Sequence, residues 1–127
     1  MGPAGAILGG LQLLVVEDDH DAREIFRSVL TEYGARVTVT SSARESLRLL
    51  REVQFDAVVA DILLGSSDAV ALLTQARGEQ NQAPFIAVSA ADFEGKRLEA
   101  LGFAAYLRKP IENRHLADAI LAALLAR

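Results

Sequence analysis

Ala57-Val58-Val59-Ala60-Asp61 is the stretch that decides the fold. Four small or β-branched apolar residues run into one carboxylate; Ile62-Leu63-Leu64 follows, Gly65 breaks the run, and Ser66-Ser67-Asp68 offers helix caps. An apolar run this short, bounded by turn signals, reads as a central strand buried on both faces, and such strands belong to parallel sheets covered by helices. Asp61 then stands at a strand's carboxyl end, the edge where an open α/β sheet places its ligands. Taken alone, Asp61 also reads as a cap for the next helix. The rest of the chain decides between the two.

Upstream, Leu11 to Val16 reads as a buried strand whose end carries Glu17-Asp18-Asp19. From Asp21, the residues Ala22, Ile25, Phe26, Val29, Leu30 and Tyr33 recur at i, i+3, i+4 and i+7, which predicts a helix with one buried face. Gly34 stops it as a left-handed C-cap would. Arg36 to Thr40 alternates polar and apolar residues, as an edge strand does. Ser42-Ala43-Arg44-Glu45 has the form of a capping box, opening a helix whose Ala43, Leu47, Leu50 and Val53 face the sheet.

Downstream, Ser67 to Gly78 gives a helix through Val70, Leu72, Leu73 and Ala76, and Pro84 to Val88 a strand ending at Ser89. Asp92 caps a short helix with Leu98 and Leu101 inward, which Gly102 closes. Ala104 to Arg108 is a fifth strand, ending at Lys109-Pro110, and a last helix from about Asn113 carries Leu116, Ile120 and Leu124 on one face. Strands and helices alternating at short spacing build a parallel sheet wrapped by right-handed crossovers. One three-layer α/β domain over 11–127 is expected.

Composition narrows the function. A chain of 127 residues holds one domain with a real core, and 51% hydrophobic with 24% charged residues is ordinary for a globular protein. The absence of cysteine excludes disulfides and thiolate metal sites, and His20 and His115 stand too far apart in sequence to suggest zinc. A net charge of −4 with scattered basic residues leaves no footprint for nucleic acid. Met1 to Gly10 is uncharged and rich in Gly and Ala, and reads as a flexible lead-in or linker remnant. No apolar run approaches a membrane span, so a cytoplasmic protein is expected.

In this architecture the strand ends share one edge. Glu17 and Asp18, Asp61, Ser89 and Lys109 therefore converge on a single crevice. Carboxylates that close repel one another unless a cation sits between them. A hard ion bound by oxygens, with waters left for a phosphate to replace, describes magnesium. Glu17, Asp18 and Asp61 would supply carboxylate oxygens and Leu63 a backbone carbonyl. With Lys109 also drawing charge from phosphoryl oxygens, Asp61 can act as nucleophile and form an acyl phosphate, and Ser89 can donate to the transferred group. Each piece alone has a plainer reading: Glu17-Asp18-Asp19 as a helix-start cluster, Ser89 as a turn residue, Lys109 as a solvated charge, Tyr106 as a half-buried aromatic. Their order on successive strand ends favours the site.

Val15-Val16-Glu17-Asp18-Asp19, the strand-end Asp61 with Asp68 seven residues on, Val88-Ser89-Ala90 and Tyr106-Leu107-Arg108-Lys109-Pro110 together resemble the receiver domain of two-component response regulators. The resemblance runs from about Leu11 to the C-terminus and implies a flavodoxin-like sheet of order 2-1-3-4-5. It implies Asp61 as phospho-acceptor, Glu17 and Asp18 as the magnesium-binding pair, Ser89 as switch hydroxyl, Lys109 as phosphate-contacting lysine before a cis proline, and Tyr106 as the aromatic that turns inward. It also implies a histidine kinase or histidine phosphotransfer domain as phosphodonor. A downstream protein would dock on the face formed by the fourth helix, fifth strand and fifth helix, with a second copy of the chain as another candidate partner. Departures are Gly65 and Ala69 in the loop after Asp61, and Leu63 and Ala91 at positions that in the family modulate loss of the phosphoryl group.

Other readings are weaker. An aspartyl-phosphate phosphatase wants a second acid two residues after the nucleophile, where Leu63 stands. A flavin carrier wants a glycine- and hydroxyl-rich phosphate loop where Glu17-Asp18-Asp19 would repel the phosphate. An interaction domain with a fossil site would take up no phosphate and ignore magnesium. As for context, the sequence fits either a stand-alone regulator or a receiver cut from a hybrid histidine kinase.

Overall fold

The computed structural model describes residues 7–62, 68–90 and 95–126. Five strands alternate with five helices: β1 Gln12–Val16, α1 His20–Glu32, β2 Arg36–Thr40, α2 Ala43–Glu52, β3 Ala57–Asp61, α3 Asp68–Gly78, β4 Phe85–Ser89, α4 Gly95–Leu101, β5 Ala105–Arg108 and α5 Asn113–Leu125. The strands form one parallel sheet in the order β2-β1-β3-β4-β5. This is the expected flavodoxin-like arrangement. The central β3 is buried at every position, and so is β4.

Alternation along the strands divides the core in two. Leu13, Val15, Ala57, Val59, Ile86 and Val88 pack under α1 and α5 with Phe26, Leu30, Leu116 and Ile120. Leu14, Val16, Val58, Ala60 and Ala87 face the other way, against Leu50, Leu72, Leu73 and Leu98 of α2, α3 and α4. Five parallel strands with both faces covered leave their carboxyl ends as the polar edge.

The helix ends follow the expected chemistry with one exception. Gly34 and Gly102 take positive φ of 98° and 112°, as left-handed stops require. Asp19 caps α1, its carboxylate accepting from the Ala22 N–H at 2.8 Å. Ser42 caps α2, accepting from the Glu45 N–H at 2.9 Å. The reciprocal half of that capping box does not form: the Glu45 carboxylate pairs with Arg48, and the Ser42 N–H donates to Thr40 Oγ1 at 3.3 Å.

Two apolar positions depart from the periodic reading. Ile25 is 61% exposed and Leu101 45%, so the helical stripe in the sequence is wider than the face the sheet covers. The chain also packs earlier than Leu11. Leu8 is fully buried in the cluster under α1 and α5, its N–H donates to the Tyr33 carbonyl at 2.8 Å, and Gly10 turns the chain into β1 with φ of 80°. Ile7 to Gly10 is thus part of the packed fold, although its composition resembles a linker. Met1 to Ala6, the Leu63 carbonyl, Gly65, Ser66, Ser67, the Asp68 side chain, Ala91 and Asp92 lie outside the described residues.

Replacing Leu8 by Ala removes a fully buried side chain, and is expected to cost about 2–5 kcal/mol. Urea unfolding of the two proteins measures it; a change under about 0.5 kcal/mol would return residues 7–10 to the status of a lead-in.

Candidate functional site

Three elements deliver the site. β1 ends at Val16 and hands Glu17 to the edge, β3 ends at Asp61 itself, and β5 ends at Arg108 just before Lys109. Two-residue alternation puts Glu17 in line with Leu13 and Val15, and Asp61 with Ala57 and Val59, so both carboxylates belong to the face covered by α1 and α5. Lys109 comes to the same side. Its Nζ donates to Glu17 Oε1 at 2.9 Å and to Asp61 Oδ2 at 3.0 Å.

Glu17 is 1% exposed and Asp61 7%. Asp18 is exposed, yet one carboxylate oxygen from each of Glu17, Asp18 and Asp61 lies within 4.8 Å of the others. Three carboxylates and one ammonium give the crevice a formal charge of about −2 when all are ionised. Burial pushes the Glu17 carboxyl above its ordinary value by more than its bond to Lys109 pulls it down, and the neighbouring Asp61 pushes the same way. For Lys109 burial works to lower the value, but the bonds to Glu17 and Asp61 together outweigh it, and its pKa is raised. The lysine is therefore a fixed cation.

Such a donor set, all oxygen and net negative, fits a hard divalent ion. The electron-poor partner it already holds is Lys109, whose Nζ also lies 5.8 Å from the centre of the Phe26 ring. On this side a groove of about 510 Å³ runs between α1 and α5, lined by Ala22, Ile25, Phe26, Val29, Pro110 and Leu116. The Lys109-Pro110 peptide is cis, as expected.

Ser89 and Tyr106 stand differently. Tyr106 packs against the cluster under α2, α3 and α4, and Ser89 ends β4, two residues beyond Ala87 of that cluster. Ser89 is fully buried and Tyr106 half-buried, on neighbouring strands with Ala87 opposite Tyr106 and Ser89 opposite Arg108. The structure thus brings Glu17, Asp18, Asp61 and Lys109 together, with Ser89 buried at the end of the neighbouring strand, next to Val88, the residue paired with Asp61, and Tyr106 packed under α2, α3 and α4.

One participant was not legible in the sequence. Arg23, in the first turns of α1, turns back on the loop: its Nη1 donates to the Glu17 carbonyl at 2.9 Å and the Asp18 carbonyl at 3.2 Å, and its Nη2 lies 3.4 Å from His20 Nδ1. Contacts to backbone carbonyls do not depend on the partners' side chains, so only the position of Arg23 one turn past the acidic loop hinted at it.

Comparison with known proteins agrees with this geometry. A family model described as the response regulator receiver domain matches residues 13–121. An uncharacterised 14.6 kDa protein of Leptolyngbya boryana is 35% identical over 113 residues, 86% of each chain. The response regulator MprA of Mycolicibacterium vanbaalenii is 33% identical over 119 residues, 92% of this chain but 51% of that protein. The chain thus spans about half the length of that regulator. Among solved structures, the receiver domain of the sensor histidine kinase PA1611 of Pseudomonas aeruginosa, with magnesium coordinated in its active site cleft, superposes with TM-score 0.82 at 25% identity, covering 91% of this chain and 98% of that one. A receiver domain protein from Clostridium thermocellum, at 22% identity and TM-score 0.84 over 91% and 95% of the two chains, shares the fold. With its sheet in the order β2-β1-β3-β4-β5 and the family model matching residues 13–121, the chain belongs to the response regulator receiver domains of two-component signalling.

Proposed function

We propose that Asp61 accepts a phosphoryl group from the phosphohistidine of a histidine kinase or histidine phosphotransfer domain. The observation that carries this reading is the double hydrogen bond from Lys109 Nζ to Asp61 and Glu17 in a crevice that is otherwise acidic. An Asp61 carboxylate oxygen attacks phosphorus, the phosphorus–nitrogen bond breaks, and the imidazole leaves with the electron pair and takes a proton from solvent. The product is an acyl phosphate on Asp61. Lys109 stays charged through the reaction and neutralises the phosphoryl oxygens as they arrive.

Magnesium is the cofactor this reading implies, and Glu17, Asp18 and Asp61 are the residues that would hold it. When bound, it supplies the positive charge that stabilises phosphoryl oxygens in the transition state. Ser89 is assigned as the hydroxyl that donates to the transferred group, and Tyr106 as the aromatic whose half-buried position follows Ser89. Their adjacency on β4 and β5 supports that pairing. The changed face is α4-β5-α5, where a downstream protein would bind. On this reading the chain is a cytoplasmic signalling module that catalyses its own phosphorylation and dephosphorylation and no other reaction.

Incubation with magnesium and acetyl phosphate is expected to add one phosphoryl mass to the wild type and none to Asp61→Asn. Intact-protein mass spectrometry reads it, and equal labelling of the two would overturn the assignment.

A second expectation comes from the buried Glu17. Its pKa is raised in the fold above the ordinary 4.5, so the stability tied to the protonated form is complete below that value and is lost as pH rises through the raised one. Metal-free Glu17→Gln should therefore unfold at higher urea than the wild type at pH 7, with the difference closing towards pH 4. Added magnesium should reverse the order at pH 7, since a ligand at about 100 times its Kd stabilises by about 2.7 kcal/mol only where it binds. Equal magnesium stabilisation of both proteins would remove Glu17 from the metal site.

A further inference from the structure

Glu17, Asp18 and Asp19 form a three-residue connection between a buried strand and a helix. Loops that carry like charges resist being held close together, because each carboxylate gains by moving away from the next. Here the loop is fastened from three directions. The Glu17 N–H donates to the Thr40 carbonyl at 3.0 Å, the Asp19 N–H donates to Glu17 Oε2 at 3.2 Å, and Asp19 caps α1. These bonds hold the ends of the loop.

The middle is held by Arg23. A single Nη1 reaches both the Glu17 and Asp18 carbonyls, while Nη2 faces His20, three residues earlier in the chain. A guanidinium holds two such nitrogens in a rigid fork, so Nη1 is oriented on the carbonyls while Nη2 faces His20, which the single nitrogen of an ammonium cannot copy. Arg23 is itself only half-buried and pairs with no carboxylate among the described contacts. By contrast, Arg27, one turn further on, pairs with Glu24 on the helix surface at 3.3 Å.

We propose that Arg23 is a positioning residue: by clamping the Glu17 and Asp18 carbonyls it holds their two carboxylates where a divalent cation can use both. This rests on the metal-binding part of the function proposed above. It makes a prediction of sign. As a charge, Arg23 repels an incoming cation, so its removal should tighten binding if electrostatics were its whole effect. As a clamp it orders the ligands, so its removal should weaken binding, and partners that orient metal ligands are typically worth 10–100-fold in affinity.

The test is calorimetric titration of magnesium chloride into the wild type, Arg23→Ala and Arg23→Lys at pH 7. The clamp predicts a Kd raised about tenfold in Arg23→Ala. Arg23→Lys, which keeps the repelling charge and loses the fork, should be as weak or weaker. Asp61 labelling by acetyl phosphate in Arg23→Ala should fall at low magnesium and recover as magnesium is raised, the pattern of lost binding and not of lost chemistry. Affinity in Arg23→Ala equal to or tighter than the wild type, or wild-type affinity in Arg23→Lys, overturns the clamp. If Arg23→Ala does not fold by circular dichroism, Arg23→Lys decides alone. A wild type that neither binds magnesium nor labels in its presence removes the proposed function itself, and the clamp with it.

Discussion

Lys109 reaches 92 residues back along the chain to Glu17 and 48 to Asp61, and that three-way contact is what the remaining structure has to maintain. Two carboxylates exposed by 1% and 7% are costly to bury, and each would be more so without the ammonium between them. Burial and the neighbouring Asp61 push the Glu17 carboxyl up, against the pull of Lys109. A protein selected for stability alone would replace such a cluster with apolar side chains of similar volume. A buried acidic cluster at the carboxyl ends of the strands is what a site for a cation and an anion requires.

The sheet makes the contact possible by parity. In parallel strands successive side chains alternate between faces, so the register that sends Leu13, Val15, Ala57 and Val59 under α1 and α5 also sends Glu17 and Asp61 there. The same rule sends Ala87 and Tyr106 to the opposite layer. A one-residue slip of β3 against β1 would turn Asp61 away from Lys109 and swap its apolar residues between the two core layers. The core clusters are therefore what fixes the site geometry. The acidic crevice lies on the α1 and α5 side, and Tyr106 packs on the α2, α3 and α4 side, with the strand ends between them.

Most of this was legible because it rests on long, repeated signals. Apolar runs and, for β2, alternation marked the five strands, and the parallel architecture with the order of the motifs put Glu17, Asp61, Ser89 and Lys109 at one edge. What was not legible has no period. Leu8 stands in a stretch rich in glycine and alanine, and only its bond to the Tyr33 carbonyl and the core cluster it joins under α1 and α5 reveal its burial. Ile25 and Leu101 satisfy a helical spacing but stand at the margin of a stripe whose width is set by how the helix lies on the sheet. The half-formed capping box failed because Arg48 competes for the Glu45 carboxylate, and Arg23 because its partners are carbonyls.

The pairing of Lys109 with two acids bears on how Asp61 can be both restrained and reactive. An ammonium bonded to a carboxylate withdraws electron density from the oxygen that must attack phosphorus, so a lysine bound to Asp61 alone would hold the nucleophile back. Because Lys109 is also anchored to Glu17 at 2.9 Å, it can pass its second hydrogen bond from Asp61 to an incoming phosphoryl oxygen without leaving the crevice or becoming a buried, unpaired charge. The cost of that exchange is one hydrogen bond traded for another. On the proposed function, Glu17 would thereby serve a purpose apart from metal binding, as the fixed end of a hinge on which Lys109 turns from the nucleophile to the group being transferred.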